Sequence, residues 1–103
     1  GGLLNPAYTS SRHGVLGLTK SLANEWAPLG VNVNAIAPGY MDTDQNIDLF
    51  KDPVRSKELM ARIPAKRWGY KNELDGACLF LASDASSYMH GQVIVVDGGW
   101  MGR

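Results

Sequence analysis

The chain has 103 residues, 45% of them hydrophobic, and its 10 basic residues balance its 10 acidic ones. This length and composition fit one folded domain at most and exclude a fibrous or disordered chain. The charge balance creates no field that would attract nucleic acid or an anionic membrane, and no apolar run approaches the roughly 20 residues that span a bilayer. We therefore expect a small-molecule or protein partner, with no nucleic acid and no membrane.

The first predicted element is a helix over residues 8–27. Its apolar residues recur at three- and four-residue spacing and should share one face: Val15, Leu18, Leu22 and Trp26. A proline and a glycine then end the helix. Residues 31–37 are β-branched or small for about the length of a strand, and the Pro38-Gly39 break predicts the end of a buried parallel strand.

The second half of the chain repeats this order. Residues 40–52 predict a polar loop or lid, and a short helix is expected over residues 53–63. After a polar turn at residues 67–71, a helix should begin near Asn72, with Glu73 in its first turn and an apolar face formed by Leu74, Ala77, Cys78 and Leu81. A loop, a strand over residues 92–97 and a glycine turn complete the chain.

Helices that alternate with strands in this way predict the α/β class with a parallel sheet. Two strands are fewer than a stable sheet normally needs, so we expect the fold to be incomplete on its own.

The cysteine and the histidines predict no metal site. A single cysteine excludes an internal disulfide framework, and neither His13 nor His90 stands near it in a zinc-ligand pattern. Cys78 lies on a predicted apolar helix face, which favours a small core residue over a nucleophile. A reducing compartment, the cytoplasm, fits this pattern best.

Tyr8 and Arg12 are the residues whose spacing suggests chemistry. They are four apart in a predicted helix, and therefore one turn from each other. A tyrosine has a pKa of about 10, so proton transfer near neutral pH needs its phenolate favoured by roughly 4 kcal/mol. A cation at about 5 Å supplies on the order of 3 kcal/mol at an effective dielectric of about 20. Alternatively, Tyr8 packs at a helix start and Arg12 is a solvated surface charge.

The strand that follows this helix provides a context for the pair. Ligands of open α/β sheets bind at the carboxyl ends of parallel strands, where Pro38 and Gly39 stand here. A glycine lets the backbone approach a flat ligand, and the hydroxyl of Thr43 can donate and accept a hydrogen bond. An ordinary strand-ending turn explains the same residues equally well.

Three motifs resemble successive landmarks of the short-chain dehydrogenase/reductase family. They are YTSSRHG at residues 8–14, NVNAIAPG at residues 32–39 and VDGG at residues 96–99, in the order and spacing of the family. The segments APGYM, RIPAKRWG and VDGGW most resemble the 2-deoxy-D-gluconate and gluconate 5-dehydrogenases of that family. The resemblance covers essentially the whole chain.

The resemblance implies the C-terminal portion of a doubly wound parallel-sheet (Rossmann) domain over residues 1–103, and an oxidoreductase that uses NAD or NADP on a sugar acid. Tyr8 would be the catalytic acid/base, and Arg12 stands where the family has a lysine that binds the nicotinamide ribose and joins a proton relay. Arginine keeps the charge but is a poor relay, so we expect weakened catalysis. Pro38, Gly39 and Met41 match the loop that faces the nicotinamide carboxamide, and Thr43 matches the hydroxyl that contacts the cofactor.

Several family features are absent from the sequence. No glycine cluster of the phosphate-binding kind occurs, and the family's catalytic serine would precede residue 1. The 103 residues alone are therefore expected to be inactive, and the rival hypothesis is a non-catalytic family member that serves as a structural or interaction partner.

Two further features each allow two interpretations. Val93 to Val96 and Trp100 form an apolar C-terminal stripe, and the resemblance implies that it builds subunit contacts in a homo-oligomer, although a buried strand would explain it equally well. Arg67 and Trp68 would clamp or stack on a carboxylated sugar, or else Trp68 packs a loop.

Overall fold

The computed structural model describes residues 6–42 and 51–102, with side chains in its first helix described from His13 onward. The α-helices and β-strands in this part of the chain are α1 (Pro6–Trp26), β1 (Ala35–Pro38), α2 (Pro53–Arg62), α3 (Asp75–Ala82) and β2 (Val93–Val96). They confirm the predicted α/β class. No helix within these ranges is long and apolar enough to cross a membrane.

The described chain forms two compact units. One lies within Gly1–Ile36 and Ala77–Ile94, and the other within Ala37–Gly76 and Val95–Arg103. The division falls inside both strands, so each unit contains part of β1 and part of β2.

The strands β1 and β2 are neighbours in a two-stranded sheet. The Ala35 N–H donates to the Gln92 carbonyl at 2.9 Å, and the Gly39 N–H donates to the Val96 carbonyl at 3.1 Å. Because the pairing advances by the same number of residues along both strands, the strands are parallel, as predicted.

Two asparagines explain why β1 begins later than predicted. Nδ2 of Asn32 donates to three carbonyls within residues 86–89, at 2.9–3.3 Å. Asn34 donates to the Met89 carbonyl at 3.1 Å and accepts from the Gln92 N–H at 3.0 Å. These side chains, together with the Val33 carbonyl that accepts from the Gly91 N–H, satisfy the main chain of the opposite turn.

The helix α1 confirms the first predicted helix, but its buried face is not the predicted one. Val15 and Leu18 are 56% and 60% exposed, whereas Thr19 and Ala23 are 6% and 2% exposed. A Cβ atom placed on Gly91 would lie 3.3 Å from the Cβ of Ala23, so the turn before β2 approaches α1 closely. Close approach of a main-chain turn selects small side chains, and hydrophobicity alone therefore indicated the wrong face.

The predicted helix near Asn72 is present, with a 3₁₀ turn at Lys71–Leu74 leading into α3. Cys78 was expected in the core but is exposed, which corrects that prediction. The partly buried positions of this segment are Leu74, Ala77 and Leu81, so the buried arc of α3 is too narrow to include Cys78.

The second unit has a small aromatic and aliphatic core. Asp52 caps α2 by accepting from the N–H groups of Val54 and Arg55 at 3.1 and 3.2 Å, and Pro53 occupies the first turn. The helix ends at Arg62, one residue before the predicted end. The buried core residues of this unit are Leu59, Ile63, Trp68 and Trp100, with Tyr40 and Met60 packed against them.

A glycine turn carries the chain from β2 into this core. Gly98 and Gly99 have φ values of 65° and 94°, as a left-handed turn requires. The carboxylate of Asp97 accepts from the Gly99 N–H through Oδ1 and from the Met101 N–H through Oδ2, both at 2.9 Å. Asp97 thereby fixes the turn that places Trp100 in the core.

The loop after β1 passes directly over Asp97. A Cβ atom on Gly39 would lie 2.7 Å from the Cβ and 2.8 Å from the Cα of Asp97. Both distances are shorter than any ordinary contact, and one of the atoms is main chain, so only glycine fits here.

Replacement of Gly39 by alanine should lower the free energy of unfolding by about 1–3 kcal/mol, because the main chains of Gly39 and Asp97 must separate. Urea denaturation measures this change. Gly76→Ala is the matched control, because a Cβ atom there meets nothing within 4 Å. An unchanged midpoint for Gly39→Ala would contradict the close approach.

Candidate active site

The predicted catalytic residues lie on α1. Positions 8 and 12 are one turn apart in a continuous helix, Pro6–Trp26, as the spacing predicted. The side chains of Tyr8 and Arg12 lie outside the described part of the chain, and so does Thr43. The roles of these three residues stay predictions.

The structure brings Pro38, Gly39 and Met41 together as one loop at the end of β1. Met41 is 5% exposed and forms an isolated parallel bridge with Gly69. The Gly69 N–H donates to the Tyr40 carbonyl at 3.0 Å, and the Asp42 N–H donates to the Gly69 carbonyl at 2.8 Å. The loop is therefore bound through its main chain at both ends, to Val96 at one end and to Gly69 at the other.

Main-chain groups in the middle of this loop suit an amide ligand. Among the described residues, no group bonds to the carbonyl of Gly39 or to the N–H of Tyr40. A carboxamide offers one acceptor and two donor hydrogens, so it complements one N–H and one carbonyl. The residues present thus fit the amide end of a nicotinamide cofactor.

An ion pair that was not recognised in the sequence holds the segment opposite this loop. Arg67 Nη1 and Nη2 donate to the two carboxylate oxygens of Glu73 at 2.6 and 2.8 Å. Arg67 Nη1 also donates to the Trp68 carbonyl at 3.1 Å, and Glu73 Oε1 accepts from the Tyr70 N–H at 2.9 Å. The sequence placed Glu73 in a first helical turn, which was correct, but gave no signal for its pairing with Arg67.

The hydrogen bonds to this pair also set its charge state. The hydrogen bond from Arg67, followed by that from the Tyr70 N–H, lowers the pKa of Glu73 from 4.5 to about 2. The hydrogen bond to Glu73 in turn raises the pKa of Arg67. Arg67 also lies over the ring of Tyr70, with 5.6 Å from Cζ to the ring centroid.

Trp68 is a packing residue, which decides between its two predicted interpretations. It is 8% exposed, and its ring meets that of Tyr40 edge-on at 5.5 Å. Tyr40 meets Trp100 in the same way at 5.2 Å. The buried Trp68 ring is therefore not available to stack on a sugar, and Arg67 is paired with Glu73.

A small cavity lies between the loop, the end of β2 and the ion pair. Its volume is about 60 Å³, and it is lined by Tyr40, Met41, Ala65, Arg67, Gly69, Glu73, Val96, Asp97 and Gly98. Ligand pockets are typically about 300–1,000 Å³, so this cavity has room for water but not for a sugar acid. Within residues 6–42 and 51–102, no group of three or more His, Cys, Asp or Glu is placed to hold a metal ion.

The sequence matches the model of a known family over nearly its whole length. The family model described as enoyl-(acyl carrier protein) reductase matches residues 3–101. The chain belongs to the short-chain dehydrogenase/reductase family.

Two similar relatives are 2-dehydro-3-deoxy-D-gluconate 5-dehydrogenases. The chain is 52% identical over 103 residues to the 2-dehydro-3-deoxy-D-gluconate 5-dehydrogenase of Bacillus subtilis (strain 168), and 54% identical over the same length to that of Dickeya dadantii. These alignments include 100% of this chain and 41% of each relative. The chain therefore spans about two fifths of the length of these relatives.

A solved structure has the same arrangement. The gluconate 5-dehydrogenase of Burkholderia cenocepacia, in complex with NADP and tartrate, superposes with a TM-score of 0.89 at 43% identity. The match covers 93% of this chain and 38% of that one.

The lowered pKa of Glu73 predicts a dependence of stability on pH. Since its folded pKa of about 2 lies below its ordinary value of 4.5, the ion pair stabilises the fold fully above pH 4.5 and loses this contribution as the pH falls toward 2. Urea midpoints should therefore fall less steeply with acid in Glu73→Gln than in the parent chain. Both side chains are partly exposed, so high salt should shrink the difference.

Glu58→Gln is the matched control, because Glu58 is exposed on α2 and forms no ion pair among the described residues. Identical acid profiles for Glu73→Gln and the parent chain would contradict the assignment.

Proposed function

We propose that this chain carries the proton-transfer residue and the nicotinamide-facing loop of an NAD(P)-dependent oxidoreductase, which interconverts a secondary alcohol and a ketone on a sugar acid. The observation that carries the proposal is identity of 52% to a sugar-acid dehydrogenase over all 103 residues. The solved relative with NADP and tartrate supports both the cofactor class and a hydroxy-acid substrate. NAD and NADP both remain within the proposal.

Some of the proposed residues transfer the proton, and the others orient the cofactor. Tyr8 exchanges a proton with the substrate oxygen, and the charge of Arg12 favours the phenolate that accepts it. NAD(P), when bound, supplies or accepts the hydride. The main chain from Pro38 to Met41 orients the carboxamide of the cofactor, and the hydroxyl of Thr43 contacts the cofactor.

The domain organisation forms part of the same proposal. Residues 1–103 represent the C-terminal part of one Rossmann domain, and the glycine-rich phosphate-binding half is not among them. A homo-oligomer is proposed with it, because the C-terminal segment leaves apolar side chains exposed, with Val95 and Met101 at 48% and 54%.

A hybrid enzyme tests the function. In it, this chain replaces the matching 41% of the Bacillus subtilis relative. The hybrid should reduce NAD⁺ or NADP⁺ with a sugar acid, and Tyr8→Phe should lower kcat by about 10²–10⁴-fold while cofactor binding persists, because only the proton transfer is lost. Tyr88→Phe is the control, since the side chain of Tyr88 is 97% exposed.

Two outcomes would count against this function. Full turnover by the Tyr8→Phe hybrid would remove Tyr8 from the reaction. A correctly folded hybrid that turns over no sugar acid would instead favour the structural-partner role. Calorimetry of the 103-residue chain with NAD(H) and NADP(H) tests whether this chain binds the cofactor by itself. Absence of heat would mean that cofactor binding requires the longer protein.

Arg12 provides an independent prediction. In the hybrid, Arg12→Lys should raise turnover by about 3–10-fold, because a compact, titratable ammonium can relay a proton and a guanidinium cannot. The reverse exchange on the same helix, Lys20→Arg, is the control and should leave turnover unchanged. An equal or lower rate for Arg12→Lys would refute the role given to position 12.

A further inference from the structure

We propose that Arg67 and Glu73 are positioning residues that hold the nicotinamide-facing loop, residues 38–42, through a main-chain clamp on Gly69. The catalytic consequence of this clamp rests on the proposed function, whereas the clamp itself does not.

Gly69 binds the half of the loop that lies beyond β1. Beyond β1, two main-chain hydrogen bonds join the loop to Gly69, from the Gly69 N–H to the Tyr40 carbonyl and from the Asp42 N–H to the Gly69 carbonyl. Gly69 is not part of either strand, so no continuous ladder fixes its position. Contacts from the residues beside Gly69 therefore add to the support that the bridge gives it.

The ion pair between Arg67 and Glu73 binds the peptide groups on both sides of Gly69. The carbonyl before it, that of Trp68, accepts from Arg67 Nη1, and the N–H after it, that of Tyr70, donates to Glu73 Oε1. The two side chains are joined to each other by bidentate hydrogen bonds of 2.6 and 2.8 Å. Loss of either charge removes the bidentate contact and so weakens the support of both neighbouring peptides.

Neighbouring side chains also restrict the position of Gly69. A Cβ atom on Gly69 would lie 2.6 Å from the sulfur of Met41. The ring of Trp68 is packed edge-on against that of Tyr40, whose own carbonyl receives the Gly69 N–H. The clamp therefore acts on a segment that already touches the loop through main chain and side chain.

The ionisation of Glu73 determines the pH range over which the clamp is intact. Because the hydrogen bonds from Arg67 and the Tyr70 N–H lower the pKa of Glu73 to about 2, the carboxylate stays ionised at neutral and mildly acidic pH. The clamp is thus a constant support of the loop near neutral pH, and its loss requires substitution or strong acid.

Amide hydrogen exchange of the 103-residue chain tests the clamp without any assay of activity. In Glu73→Gln, the N–H groups of Asp42 and Gly69 should exchange about 5–10-fold faster, because their partners lose their support. The Gly91 N–H, bonded to the Val33 carbonyl at 2.8 Å in the other unit, reports general stability and should not change. Glu58→Gln is the matched charge control.

Two results would overturn the clamp: unchanged exchange at Asp42 and Gly69, or equal acceleration at Gly91. Arg67→Lys provides a second variant should Glu73→Gln fail to fold, because it keeps the charge, loses the bidentate fork and should accelerate the same two amides. The double exchange R67E/E73R restores only the ion pair, because a carboxylate at position 67 cannot donate to the Trp68 carbonyl and a guanidinium at position 73 cannot accept from the Tyr70 N–H. Both amides should therefore stay accelerated in the double exchange, and restored protection would overturn the main-chain clamp.

A kinetic measurement in the hybrid tests the consequence for catalysis. Glu73→Gln should raise KM for the cofactor by about 3–10-fold and leave kcat within about twofold, because the loop orients the cofactor without touching the transferred proton. An unchanged KM would overturn the link to the cofactor. If the parent hybrid shows no turnover, the proposed function fails, but the exchange result still decides the clamp.

Discussion

The close approach of Gly39 to Asp97 is the constraint on which the candidate site depends. It leaves no room for a Cβ atom, so the chain crosses the end of β2 as bare main chain. Asp97 cannot withdraw, because its two carboxylate oxygens hold the Gly99 and Met101 N–H groups and thus the turn that buries Trp100. A loop fixed in this way can present main-chain groups to a flat ligand without first paying the entropy of becoming ordered.

Much of the fold could be predicted from local pattern, and the exceptions have identifiable causes. The α2 helix began at its predicted residue because Asp52 and Pro53 are strong local start signals. β1 began late because Asn32 and Asn34 bind a turn more than 50 residues away, which no local period reveals. The buried face of α1 was predicted wrongly because the turn at Gly91 approaches Ala23 closely and requires a small side chain there, while the buried Thr19 satisfies its hydroxyl on the Val15 carbonyl.

The same contrast holds for the site. The loop containing Pro38, Gly39 and Met41 was predicted from motif resemblance, since short-range residue types define it, and its role at the cofactor stays a prediction. The Arg67–Glu73 pair was missed because a spacing of six residues suits neither helix nor strand and acquires meaning only from the turn between them. The combination of an arginine, a buried aromatic residue and a glycine ahead of a capping glutamate was the available signal.

A crystal structure of the hybrid enzyme with NADP would test the central claim, that the doubly anchored loop is the nicotinamide-facing surface. We expect the carboxamide to bond to main-chain groups between Pro38 and Met41, with the Met41–Gly69 bridge and the Gly39–Val96 hydrogen bond both retained. A nicotinamide ring bound away from this loop, or a loop that abandons either anchor when the cofactor binds, would contradict the account.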